Sequence, residues 1–215
     1  LFEKEVVSFE IDGIKSSNMT RGHRFLSPAS FQIREIPSYV KLLANNHVIV
    51  DFEERKKIIS AEIEKISASV GGTVLRDEAL LETVANIVEY PVPVLATFSE
   101  KYLKLPKELL ITVMKEHQKY FAIENKESGL TNYFIIVSNT SKENAETVKA
   151  GAERVIRARF EDARFYFEED GKKRLEDRVE DLKNVTYQEK LGSIHEKILR
   201  VKEISTSLAS KLNPS

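Results

Sequence analysis

The sequence predicts an α/β (α+β) protein, a mixed sheet with flanking helices followed by a mainly helical C-terminal part. Three observations carry this. KYFAIEN (119–125) and NYFIIVSN (132–139) are rich in β-formers, are separated by the Gly-containing loop KESGLT, and read as a hairpin. Between 52 and 88, apolar residues recur at helical spacing in two blocks. After Asn139 the texture becomes helix-forming and highly charged, with no convincing strand. The expected division is an α/β domain over 1–140 and a helical segment over 141–215.

Each element has its own signal. EVVSFEIDGI (5–14) reads as a strand closed by Asp12-Gly13, and SSNMTRGHRF as a polar, basic loop with Gly22 at its turn. Pro37 opens a short helix to about Ala44, and HVIVD (47–51) reads as a short buried strand. In the helix from Phe52 to Val70 the core face is Ile58, Ile59, Ile63 and Ile66, and Gly71-Gly72 stops it. A second helix, about Arg76 to Val88, buries Leu80, Leu81, Val84 and Ile87 and ends before Pro91. PVPVLATF (91–98) fits a strand at a sheet edge, because its prolines donate no ladder bond. Pro106 opens a helix to about His117.

Composition bounds the function. With 41% hydrophobic and 31% charged residues the chain suits a globular protein with a core. No apolar run approaches the roughly 18 residues of a membrane span, and the start has no secretory-signal pattern. The absence of an initiator Met and the abrupt end suggest an internal slice of a longer protein. There is no cysteine, which excludes disulfides and thiolate chemistry and fits a cytosol. Lys plus Arg number 33 against 34 acids, so any polyanion site must be local. No phosphate-binding glycine loop is present, and His23, His47, His117 and His195 are widely spread, which favours structural or surface roles over metal binding. No catalytic residue is expected.

Three stretches remain. In TRGHRF (20–25), Arg21, His23 and Arg24 crowd a glycine beside Phe25, which suits phosphate or an ion-paired surface loop. In MKEHQKYF (114–121), Lys115 and Lys119 accompany aromatics, as in a nucleic-acid clamp or at an ordinary helix end. In GAERVIRARFEDARFYFEED (151–170), Arg154, Arg157, Glu161 and Arg164 share one helix face, and Glu153–Arg157 and Arg157–Glu161 form an i,i+4 ladder. Ala152, Val155, Ile156, Ala163 and Phe167 form the apolar stripe. That face is either a solvated, salt-bridged surface or an arginine edge for a polyanion.

These strings, with VIVDFEERKKII, LLETVANIVEYPV, LPKELLITVMKEHQKYF and LEDRVEDLKNVTYQEKLGS, in this order resemble the bacterial glycyl-tRNA synthetase β-subunit family over about residues 1–205. Departures are mild: Tyr90, Ala152, Ala158, Phe160 and Arg164 stand where the family pattern has other residues. The resemblance implies an α₂β₂ cytoplasmic ligase that glycylates tRNA. ATP with Mg is used in the α subunit, and this segment holds no cofactor and no aminoacylation site. It implies tRNA(Gly) and the α subunit as partners, and an α/β half similar to the editing-like domain of phenylalanyl-tRNA synthetase β. The candidate tRNA contacts are Arg21, His23, Arg24, Lys115, Lys119, Arg154 and Arg157. The alternatives are a module that docks the α subunit and a vestigial deacylase pocket.

Overall fold

The computed structural model describes residues 5–127 and 129–212; Ser128, in the expected hairpin loop, lies outside them. The chain divides into two compact units, 1–163 and 164–215.

The first unit is built on a four-stranded antiparallel sheet in the order β5-β7-β8-β6. Its strands are β5 (Thr73–Val74), β6 (Val92–Thr97), β7 (Phe121–Asn125) and β8 (Gly129–Ser138). The hairpin expected from KYFAIEN and NYFIIVSN is therefore its centre. β6 is an edge strand, the position that suits its Pro93.

Successive residues of these strands face opposite ways, and helices cover both faces. On one, Phe121, Ile123 and Ile135 pack with Ile59 and Ile63 of α2 (Phe52–Ser69) and Leu80, Val84 and Ala85 of α3 (Glu78–Ile87). Asp51 and Asp77 cap these helices by accepting the N–H of Glu54 and Leu80, each at 2.9 Å. Ile87, expected in this core, is 62% exposed, because it lies in the last turn and past the packed face.

On the other face, Ala122, Phe134 and Ile136 meet Leu110 of α4 (Lys107–Thr112), the π-helical turn Val113–His117 that continues it, and α5 (Ala145–Gly171). α5 buries Ala152, Ile156 and Phe160, a strict i,i+4 series. Val155, placed in the stripe from sequence, is exposed.

The N-terminal part corrects several expectations. EVVSFEIDGI forms only the two-residue β1 (Glu10–Ile11), paired with β2 (Ile14–Lys15) across Asp12-Gly13. Both turn residues have positive φ (48° and 78°), the backbone that a two-residue hairpin turn demands. The polar loop holds β3 (Met19–Arg21), paired with β4 (Ser30–Gln32). α1 (Tyr39–Asn45) follows Pro37 as expected. HVIVD is no strand: Ile49 N–H donates to Glu89 O at 2.9 Å, and Arg55 Nη1 donates to the carbonyls of Ile49 (2.6 Å) and Val50 (2.9 Å).

In the second unit, short 3-10 turns at Glu176–Arg178 and Glu180–Asn184 lead into a strand pair that the sequence did not signal. It joins β9 (Thr186–Gln188) to β10 (Gly192–Ser193). α6 (Ile194–Leu212) follows. Ser193 and Glu196 bond each other's backbone N–H, with Ser193 N to Glu196 Oε2 at 2.6 Å and Glu196 N to Ser193 Oγ at 3.2 Å. This is a capping box. No residue of α6 is buried. Among the described residues no helix is long and apolar enough to cross a membrane.

Candidate nucleic-acid interface

The seven candidate side chains fall into three groups, and among the described residues no hydrogen bond or ion pair joins one group to another.

The first group sits on the turn after β3. His23 is 1% exposed, so its ring lies beneath the surface rather than on it. Its Nδ1 accepts the N–H groups of Phe25 and Leu26, both at 3.3 Å, and the His23 backbone N–H donates to Asn46 O at 2.8 Å. A nitrogen that accepts two amides is the unprotonated one, which fixes His23 as a structural pin of the turn. Arg21 and Arg24 are exposed beside it. Arg21 Nε donates to Ser30 Oγ at 3.2 Å, and the Arg24 guanidinium lies 5.7 Å from the Phe25 ring centroid.

The second group surrounds the π-helical turn. Lys115 Nζ lies 2.5 Å from Asp77 Oδ2, tying this turn to the start of α3, and 3.8 Å from Glu116. Lys119, at φ 58°, donates to the carbonyl of Glu116 (3.1 Å) and sits 3.9 Å from its carboxylate. Two lysines thus face two acids, and the group carries little net charge.

Asp77 was missed from sequence, since its partner lies 38 positions along the chain (115 − 77). The Lys115 ammonium first, then the Leu80 amide, hold its carboxyl below the usual range. Such a group stabilises the fold fully above the unfolded carboxylate value of about 3.9. That contribution is lost as pH falls through the lower folded value. Asp77→Asn keeps a good cap but removes the charge. The gap in urea midpoint between wild type and Asp77→Asn should hold steady down to about pH 5 and close below about pH 3.9. A gap that persists under acid would exclude the ion pair as its source.

The third group is on α5. Glu153 turns to β6, where its Oε1 accepts the N–H (2.9 Å) and Oγ1 hydroxyl (3.0 Å) of Thr97. Glu161 Oε1 takes Lys101 Nζ and the Tyr102 hydroxyl, both at 2.6 Å. Burial first, then this bond, hold the Tyr102 phenol above its ordinary value. The expected i,i+4 ladder therefore does not form at Arg157: its two acids are engaged with other elements. Arg154 and Arg157 are exposed, and among the described residues neither has an ion-pair partner.

A cleft of about 470 Å³ between α2, β5 and α3 has charged walls that are paired among themselves or with neighbours. Arg76 lies 3.5 Å from Glu64, Glu78 meets Lys56, and Asp77 holds Lys115. Among the described residues no group of three or more His, Asp or Glu side chains is placed to hold a metal ion.

In this α/β sheet unit one long helix thus carries two exposed arginines that have no ion-pair partner among the described residues. The family model of the glycyl-tRNA synthetase beta subunit matches residues 1–214. The glycine–tRNA ligase beta subunit of Thermodesulfovibrio yellowstonii is 51% identical over 214 residues, covering 100% of this chain and 32% of that protein. Those of Citrifermentans bemidjiense and Geobacter sp. strain M21 are each 48% identical over 215 residues, covering 100% of this chain and 31% of theirs. The chain belongs to the glycyl-tRNA synthetase β-subunit family. It spans about a third of the length of the curated relatives it matches.

Proposed function

We propose that this chain is the part of a glycine–tRNA ligase β subunit that holds tRNA by its phosphates. It performs no aminoacylation itself. Glycine activation with ATP and Mg belongs to the α subunit of a cytoplasmic α₂β₂ class II enzyme. One observation carries the reading: the acids beside Arg154 and Arg157 are drawn away to Thr97, Lys101 and Tyr102, leaving both guanidinium groups without an ion-pair partner among the described residues. An exposed arginine fork matches phosphate geometry and positions RNA without reading its bases. Arg21 and Arg24 add to it. Lys115 and Lys119, already paired, contribute less, and His23 acts through the turn it pins. On this reading the sheet unit is the counterpart of the editing-like domain of phenylalanyl-tRNA synthetase β.

A second reading, a scaffold that docks the α subunit, is favoured by one feature of the second unit. Ile198, Val201, Ile204, Leu208 and Leu212 are all exposed along α6.

The test is binding of a tRNA(Gly) transcript to the assembled enzyme over a range of salt. Each phosphate contact contributes roughly one to the slope of log affinity against log salt. Arg154→Glu with Arg157→Glu should lower that slope by about two and leave subunit assembly intact. Unchanged affinity and slope reject the phosphate role, and loss of assembly with tRNA binding retained establishes the scaffold instead.

A further inference from the structure

From Gly13 to Arg34 the chain contains no acid, while Lys15, Arg21, Arg24 and Arg34 fall inside this span. In a chain with 34 acids, this is a segment of one sign, bounded by Asp12 and Glu35. At its centre stands Phe25, 77% exposed. A phenyl ring this bare is normally either mobile or covered; here the backbone beneath it is fastened. The N–H groups of Phe25 and Leu26 are held on His23 Nδ1 at 3.3 Å. Ser27 N–H donates to His23 O at 2.9 Å, and Ser27 Oγ donates to Asn46 Oδ1 at 2.6 Å. Asn46 is in turn fixed by its Nδ2 on Leu42 O at 2.7 Å. A buried imidazole and an amide side chain thus hold up an apolar ring flanked by cations.

We propose that the turn 21–25 is a base-stacking site for one unpaired nucleotide of RNA. Phe25 receives the base on its ring face, and Arg21 and Arg24 bind the phosphates on either side. Stacking on an exposed aromatic is tolerant of base identity, and flanking arginines supply the phosphate charge. The segment itself carries no acid to repel a polyanion. Fixing the turn in advance lowers the ordering entropy lost on binding. The proposal deepens the tRNA-holding reading and rests on it, adding a contact to a base where that reading has only phosphates.

The assembled enzyme with full-length β subunit separates the two kinds of contact, with a tRNA(Gly) transcript as the probe. Phe25→Leu should weaken binding about ten-fold at every salt concentration, with the salt slope unchanged. Phe25→Tyr, which keeps the ring, should bind like wild type. Arg21→Gln with Arg24→Gln should lower the slope by about two. Chemical probing should show one unpaired base protected by wild type and released by Phe25→Leu. Wild-type binding by Phe25→Leu overturns the stacking site, as does a loss of subunit assembly, which would make Phe25 a protein contact. Arginine variants that lower the slope while Phe25→Leu keeps wild-type affinity would overturn this inference alone. Insensitivity of every variant, Arg154→Glu with Arg157→Glu included, would overturn the parent reading with it.

Discussion

Phe160→Ala should destabilise the first unit by about 3–5 kcal/mol, the range for removing a large buried aromatic ring. Phe160 is fully buried at the centre of the face between the sheet and α5. Its ring meets Phe98 edge-on, centroids 4.9 Å apart at 86°, and lies 5.3 Å from Tyr102. Phe98 stacks onto Phe134 of β8 at 6.3 Å, and Phe134 onto Tyr120 at 5.1 Å. The chain of rings runs from the helix into the sheet, so a hole at Phe160 also loosens Phe98 and Tyr102. Tyr102 in turn donates to Glu161, one residue further along α5. The backbone of the two rings that meet it is fastened, Phe98 N–H on Asn132 O at 3.0 Å and Tyr102 N–H on Ser99 O at 3.1 Å, which places the cost toward the upper end. A fall in urea midpoint at unchanged denaturant slope is the expected result. A loss under 1 kcal/mol would mean that α5 re-seats on the sheet. Phe160→Leu, which refills most of the space, should recover most of the loss.

The same residue shows where a sequence reading stops. Periodicity alone identifies α5 as amphipathic and puts Arg154 and Arg157 outside, and both are exposed. It does not choose between Val155 and Phe160 for the stripe, because the two lie at opposite margins of a broad apolar arc. The sheet decides, by offering Phe98 and Phe134 to a ring. The central hairpin, the α2 and α3 helices and the proline-marked edge strand were legible because each rests on local pattern. HVIVD has an equally good local pattern and fails, since Arg55 from the next helix satisfies its carbonyls. The site was half legible for the same reason. Arginine exposure is local, but the diversion of Glu153 and Glu161 is not: their partners precede them by 56 to 60 residues. Nor does any local signal mark His23 as buried, since Asn46, which holds it, belongs to the end of α1.

Gly22 is the position at which that long-range contact can be broken by one methyl group. Its φ is not positive, so backbone freedom is not what glycine supplies here. Space is. A Cβ at 22 would stand 2.5 Å from Asn46 Cβ, 2.6 Å from Asn46 O and 2.9 Å from Ser27 Cβ. None of these is the far end of a flexible side chain. Asn46 O accepts the His23 N–H at 2.8 Å, and Asn46 Oδ1 accepts the Ser27 hydroxyl, so the clash acts on both fastenings of the turn. Gly22→Ala should therefore cost about 1–3 kcal/mol, as overpacking does. The loss is expected in the turn before the sheet core, because the β3–β4 pair is separate from the four-stranded sheet. Amide exchange at His23 and Ser27 should speed up about 5- to 150-fold, that free energy expressed as local opening. Amides of β7 and β8 should keep their protection. Wild-type exchange at His23 and Ser27 would mean that the end of α1 yields instead and carries the turn with it. If the turn does open, the Gly22→Ala enzyme should also lose the Phe25 contribution to RNA binding while Phe25 itself is intact. That result would separate the ring from the pinned backbone that presents it.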